Sequence, residues 1–80
     1  MRMTRYANPQ SGVRSYRIAA GAILVRFADG AVYRYDETAP GLAHVERMKE
    51  LARAGRGLAT YISQHVGSDY AAKFDPGEAP

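Results

Sequence analysis

The chain contains no cysteine. That excludes disulfide bracing and thiolate metal sites, and it removes any reason to expect an oxidising compartment. No apolar run reaches the length of a membrane span, and the opening Met-Arg-Met-Thr-Arg-Tyr lacks the apolar core of a signal peptide. The expectation is a cytoplasmic protein with no membrane partner. The two histidines, His44 and His65, fall outside any H-E-x-x-H spacing, so no metal site is expected. No serine or threonine sits in a nucleophile-elbow context, and the glycines follow no phosphate-loop spacing. Glu46 and Glu50 lie one helical turn apart, but Arg47, Lys49 and Arg53 beside them make an ordinary solvated helix surface. The reading is therefore of a non-enzyme without cofactor.

With 80 residues there is room for one domain. A domain of this size buries only about 60% of its unfolded-chain surface. The net charge of +3 hides an asymmetry: residues 1–35 carry six arginines against Asp29 alone, a balance of +5, while residues 36–80 carry −2. Nine of the eleven basic residues are arginine. Arginine is the better residue for bidentate contact with phosphate or carboxylate, although GC-rich coding produces the same bias.

The most informative stretch is Ile23 to Tyr35, two alternating strands around Asp29-Gly30, a strong hairpin signal. A two-residue loop would pair Phe27 with Val32 and put Arg34 on the face of Ile23, Val25 and Phe27. A three-residue loop, Ala28-Asp29-Gly30, pairs Phe27 with Ala31, Val25 with Tyr33 and Ile23 with Tyr35. It leaves Leu24, Arg26, Val32 and Arg34 on the other face. Because a one-residue slip exchanges faces, the register that keeps one face apolar is favoured. It requires Gly30 at positive φ, where a Cβ is costly.

Residues 1–12 read as irregular, with turn signals at Asn8-Pro9 and Ser11-Gly12. Residues 13–19 form a first strand with Tyr16 and Ile18 inward and Ser15 and Arg17 outward. Ala20-Gly21 is too short for a crossover, so this strand is an antiparallel neighbour of the next. After Tyr35, Thr38 or Asp36 can cap a helix with Pro40 in its first turn. Leu42, Val45, Met48, Leu51 and Ala52 then repeat at helical spacing, giving a helix over roughly 39–54 that ends at Gly55 and Gly57. A second helix covers about 58–66, with the stripe Leu58, Tyr61, Ile62, His65 and Val66, and stops at Gly67. Ser68 to Phe74 covers the core edge with Tyr70, and residues 75–80 read as a disordered tail. The expected fold is α+β: one domain over 13–74, a three-stranded antiparallel meander with two helices on one face. The opposite face, with Arg17, Leu24, Arg26, Val32 and Arg34, is expected to stay open.

The order and spacing of Val25-Arg26-Phe27, Gly30, Tyr33-Arg34-Tyr35, Gly57, Tyr61-Ile62-Ser63-Gln64-His65-Val66 and Tyr70 resemble the KTSC domain. That family takes its name from the C-terminus of some lysyl-tRNA synthetases and also occurs as small stand-alone bacterial proteins. The resemblance covers roughly residues 13–70. It departs at Ala20-Gly21, where the family has Gly-Tyr-Asp and a longer turn, and at Ala39-Pro40, where the family has Val-Pro closer to Tyr-x-Tyr; it is a resemblance to a diverged member. It implies a structural role for Phe27, Gly30, Tyr33, Tyr35, Tyr61, His65 and Tyr70. It implies no activity; attachment to a tRNA synthetase points to RNA by association only.

Two surfaces are candidates. Tyr33 and Tyr35 make a stacking platform for unpaired bases or pack beneath the helices; burial is favoured because a large apolar face is rarely left open. Arg17, Arg26 and Arg34, with Arg14 near the edge, can hold a phosphate backbone, or else form a solvated face whose stems shield Leu24 and Val32. His65 reads as a core or rim histidine. The leading expectation is a small binding module for RNA or other nucleic acid through the arginine face. The alternative is a protein-interaction module using that face or an edge strand. The expected state is a monomer or weak homodimer.

Overall fold

The computed structural model describes residues 2–78. Its frame is a five-stranded antiparallel sheet in chain order: β1 (Thr4–Arg5), β2 (Val13–Ala19), β3 (Ala22–Phe27), β4 (Val32–Asp36) and β5 (Ala72–Phe74). Between β4 and β5 run α1 (Leu42–Ala54) and α2 (Leu58–Tyr61), which continues into a π-helical turn over Ile62–Val66. The class is the α+β expected, with one face of the sheet under the helices.

The β3–β4 hairpin adopts the three-residue register. Ile23 pairs with Tyr35, Leu24 with Arg34, Val25 with Tyr33 and Arg26 with Val32. The Phe27 N–H donates to the Ala31 carbonyl at 3.0 Å and the Gly30 N–H to the Phe27 carbonyl at 2.9 Å. Gly30 has φ 89°, and Asp29 Oδ1 accepts from the Ala31 N–H at 2.9 Å. The aspartate thus closes the turn with its side chain while glycine supplies the left-handed residue.

The three expected strands are flanked by two more. β1 covers the free edge of β2, pairing Thr4 with Tyr16 and Arg5 with Ser15. β5 covers β4, pairing Val32 with Phe74, Tyr33 with Lys73 and Arg34 with Ala72. Residues 1–12 are therefore not wholly irregular, and the domain begins before residue 13. Two- and three-residue strands carry too little alternation to be seen, yet each satisfies backbone groups that β2 and β4 would otherwise leave unpaired. Residues 75–78 are likewise not a free tail: Asp75 to Glu78 form a turn, with Glu78 N–H to the Asp75 carbonyl and Asp75 N–H to Glu78 Oε1, both at 2.9 Å. Ala79 and Pro80 lie outside the described residues.

The helices differ from expectation at their ends. α1 begins at Leu42, not 39, behind Gly41, with no side-chain cap. Asp36 cannot cap it, because its carboxylate is already engaged by Arg34 and Thr38. Leu42, in the first turn, is 49% exposed instead of buried. Lys49 was expected on the solvated face but is buried; its ammonium donates to the Ala19 carbonyl at 2.9 Å and lies 3.2 Å from Glu46. In the second helix the Gly67 N–H reaches back five residues to the Ile62 carbonyl at 2.6 Å, the wider winding of a π turn.

The core joins Ile23, Val25 and Tyr35 of the sheet to Val45, Met48 and Ala52 of α1 and to Leu58, Ile62 and Val66. Tyr16 and Ile18 pack against it from β2. Tyr6, just after β1, is 3% exposed, and its hydroxyl accepts from the Leu58 N–H at 3.2 Å. The N-terminal strand thereby satisfies the first backbone donor of α2. The segment also lies close over the α1–α2 link, where a Cβ on Gly55 would sit 2.6 Å from Ala7 Cβ.

Two substitutions test this frame. Gly30→Val combines φ 89° with a Cβ 3.3 Å from Pro76 and should destabilise the domain by about 1 kcal/mol or more in urea titration. Unchanged stability would show that the turn does not need glycine. Tyr6→Phe leaves the buried Leu58 N–H without its acceptor and should cost about 1–3 kcal/mol by the same measurement.

Candidate functional site

The pleat sorts the side chains of the sheet onto two chemically different faces. On the face away from the helices, the register sets Arg5, Ser15, Arg26, Val32 and Phe74 in one cross-strand row. The next row holds Arg17, Leu24, Arg34 and Ala72. Arg17, Arg26 and Arg34 thus share a face as the alternation predicted, and Arg5 joins them. Arg5 lies in a two-residue strand, too short to show a period, and the turn signal at Asn8-Pro9 dominates the reading of the first residues. Arg14 does not belong to the rows. It is the extra residue of a bulge between Val13 and Ser15, and its guanidinium donates to the Pro9 carbonyl at 3.3 Å.

This face is not open in the sense expected. Leu24 is 3% and Val32 1% exposed, although no helix covers them. Their neighbours in the two rows are arginines and Phe74, and long arginine stems lie over apolar surface while the charge stays in water. Arg26 is only partly exposed, and its Nε is buried with no hydrogen-bond partner among the described residues. A protein-docking patch centred on Leu24 and Val32 therefore has no exposed apolar centre.

One acid belongs to the same face by register. Asp36 Oδ2 accepts from Arg34 Nε at 2.9 Å, and Asp36 Oδ1 accepts from the Thr38 hydroxyl at 2.6 Å and the Thr38 N–H at 2.9 Å. The Thr38 hydroxyl, then the Thr38 amide and Arg34, hold its carboxyl down to about 2. Asp36 engages a single Arg34 nitrogen, and a guanidinium has five N–H donors, so the pair orients Arg34 without consuming it.

The helix-side face is aromatic. Tyr35 is buried at 1% exposure, and burial, with Tyr33 and Tyr70 nearby, pushes its phenol above the ordinary range. Tyr33, Phe27 and Tyr70 are only partly buried. Tyr33 stands edge-on to Phe27 at 5.1 Å and to Tyr70 at 4.9 Å, and stacks with Tyr35 at 6.4 Å. The expected burial of the tyrosine pair therefore holds for Tyr35 in full and for Tyr33 in part. Tyr61 lies between the histidines: its hydroxyl is 2.7 Å from His44 Nδ1, and its ring lies tilted at 36° against His65, with centroids 4.8 Å apart. His65 is exposed instead of in the core or its rim, with its ring against Tyr61 four residues earlier. Among the described residues, no group of three or more His, Asp or Glu could hold a metal ion, and no helix is long and apolar enough to cross a membrane.

No protein-family model, curated protein or solved structure matches the chain.

The Asp36 cluster has a pH signature. Its folded carboxyl binds a proton less tightly than the ordinary value of 3.8. The stability it contributes is complete above that value and is lost as pH falls through about 2. Wild type should therefore exceed Asp36→Asn in urea midpoint at pH 6, with the gap closing between pH 4 and pH 2. A gap that stays constant over that range would show that the charge on Asp36 contributes nothing to stability.

Proposed function

We propose that this chain is a small non-enzymatic binding module that seats the phosphate backbone of a nucleic acid on the arginine-bearing face of its sheet. The observation that carries this reading is the register. It aligns Arg5 with Arg26 and Arg17 with Arg34 in adjacent cross-strand rows, and Asp36 is the acid it sets on the same face. Arginine forks suit phosphate oxygens. Arg14 takes part only from the bulge beside the face.

RNA is the preferred class because the motif residues resemble the KTSC domain, of which we take the chain to be a diverged member. The clustering of Phe27, Tyr33, Tyr35 and Tyr70 into one aromatic group supports a structural role for those motif positions. Contacts to phosphate are tolerant of sequence, so affinity should vary little between single strands of different composition.

The test changes Arg5, Arg17, Arg26 and Arg34 together to Gln, which keeps the stems over Leu24 and Val32. Wild type should bind single-stranded RNA with a salt slope of about 3, four contacts at roughly 0.7 each. The variant should lose the binding and still unfold cooperatively. Equal binding by the two proteins overturns the assignment of the face. No binding by wild type to RNA, single-stranded DNA or duplex DNA at low salt overturns the nucleic-acid reading and leaves protein interaction through the edge strands β1 and β5.

A further inference from the structure

On the helix side, the sheet and the π turn enclose an open pocket of about 480 Å³ beside the hairpin tip. Its walls are Phe27, Tyr33 and Tyr70, its floor includes Tyr35 and Ile62, and Asp29 stands at its rim. Four aromatic rings in a domain with eight aromatic residues line this one cleft. Phe27, Tyr33 and Tyr70 pack against the core on one side and remain partly exposed on the other, while Ile23 and Val25 beneath the helices are sealed. The π turn shapes the far side, since the Ile62–Val66 winding delivers Ile62 to the floor and Gly67-Ser68 to the rim. Local π winding is frequent at binding sites.

The chemistry of the walls selects the charge of the occupant. Ring faces are electron-rich and attract cations. Tyr33 is met at close to right angles by Phe27 (90°) and Tyr70 (80°), so the rings present surfaces in more than one direction, a cage and not a flat stack. Asp29 is the one charged residue among the described lining residues. Its Oδ1 closes the turn on Ala31 N–H, which leaves the second carboxylate oxygen for a ligand. A cation already stands beside the pocket, outside its lining residues. Lys73 sits opposite Tyr33 in the β4–β5 ladder, with its ammonium 5.6 Å from the ring centroid. The Tyr33 oxygen holds that ammonium above the ordinary lysine range. An anion would meet electron-rich faces and a carboxylate, so the pocket opposes the phosphate chemistry of the outer face.

We propose that the pocket formed by Phe27, Tyr33, Tyr35 and Tyr70 with Asp29 is a binding site for a methylated ammonium group. Such a group fills a cage of ring faces with its methyls, spreads its charge over them and gives up little hydration on entry. The carboxylate of Asp29 supplies the balancing charge. Lys73 lies beside the site as a resident competitor for the Tyr33 face.

The test titrates isotopically labelled protein with choline, with the uncharged isostere 3,3-dimethylbutanol and with N-acetyl-trimethyl-lysine amide, reading the amide signals of Asp29, Gly67 and Ser68. Choline should bind about tenfold more tightly than the isostere. Asp29→Asn keeps the Oδ1 acceptor of the turn and should weaken choline by about threefold, while Lys73→Gln should strengthen it. Tyr70→Leu, which removes an outer wall, should abolish the shifts in a protein that still unfolds cooperatively. Tighter binding of the lysine derivative than of choline identifies a protein side chain as the source of the group, and the reverse identifies a free small molecule. Binding of the isostere as tightly as choline, no shift with either cation, or weaker choline binding in Lys73→Gln overturns the proposal. The variant with four arginines replaced by Gln should bind choline as wild type does, so this site and the nucleic-acid reading stand or fall separately.

Discussion

The conformation of one residue, Gly30, decides which chemistry each face of this sheet carries. With φ at 89° it closes a three-residue loop and pairs Val25 with Tyr33 and Leu24 with Arg34. Every later consequence follows from that pairing, because strand side chains alternate and a shift of one residue inverts a strand. In the two-residue register Arg34 would face the helices, desolvated beside Ile23 and Val25, and Val32 would take its place in the core. The penalty for burying an unpaired guanidinium far exceeds any gain from the exchange. The hairpin is thus held twice, by the glycine at its tip and by the cost of misplacing arginine in its strands.

The two faces solve the same problem differently. Both carry apolar side chains on the middle strands, and both remove them from water. On the helix side, Val45, Met48 and Leu58 complete a core over Ile23 and Val25. On the other side Leu24 and Val32 are as well buried, with arginines and Phe74 as their row neighbours and no helix above. For a small chain with limited volume for a core, a second apolar row beneath arginine stems adds burial without adding another layer. It also fixes where the guanidinium groups stand. A face of this kind is basic because it has something to cover, so its charge has a structural cause whether or not a ligand uses it.

The parts legible in the sequence are those with enough residues to show a period. Residues 13–19, 23–27 and 32–35 alternate over several positions, and 42–52 repeats at three and four; each became the expected element. β1 and β5 offer two and three residues, below the length at which alternation is distinguishable from coincidence. Arg5 and Tyr6 were lost with β1, and with them one arginine of the candidate face and the acceptor for Leu58 N–H. Lys49 was misjudged because periodicity describes a helix in isolation, whereas its ammonium reaches across to the Ala19 carbonyl, thirty positions away in the chain. Asp36 was misjudged for a related reason: a residue suited to capping was already bound by Arg34 and Thr38, and α1 starts later behind Gly41. Composition gave the number of arginines, and only the ladder gave their rows.

The end of the chain shows how edge strands serve both faces at once. β5 adds Phe74 to the outer row next to Val32 and Lys73 to the inner face opposite Tyr33. A three-residue strand therefore completes the cover of the apolar row and sets an ammonium on the aromatic group, while Pro76 closes against Gly30. The hairpin tip, β5 and the turn after it are in mutual contact although more than forty residues separate them. Distant segments meet there without a disulfide, because the backbone ladder supplies the specificity that a covalent link would otherwise give. The same contact ties the aromatic cleft to the hairpin register: loosening β5 would move Lys73 off Tyr33 and Phe74 off Val32 together. The arginine face and the aromatic cleft are thus opposite sides of one strand pair, and neither can shift without the other.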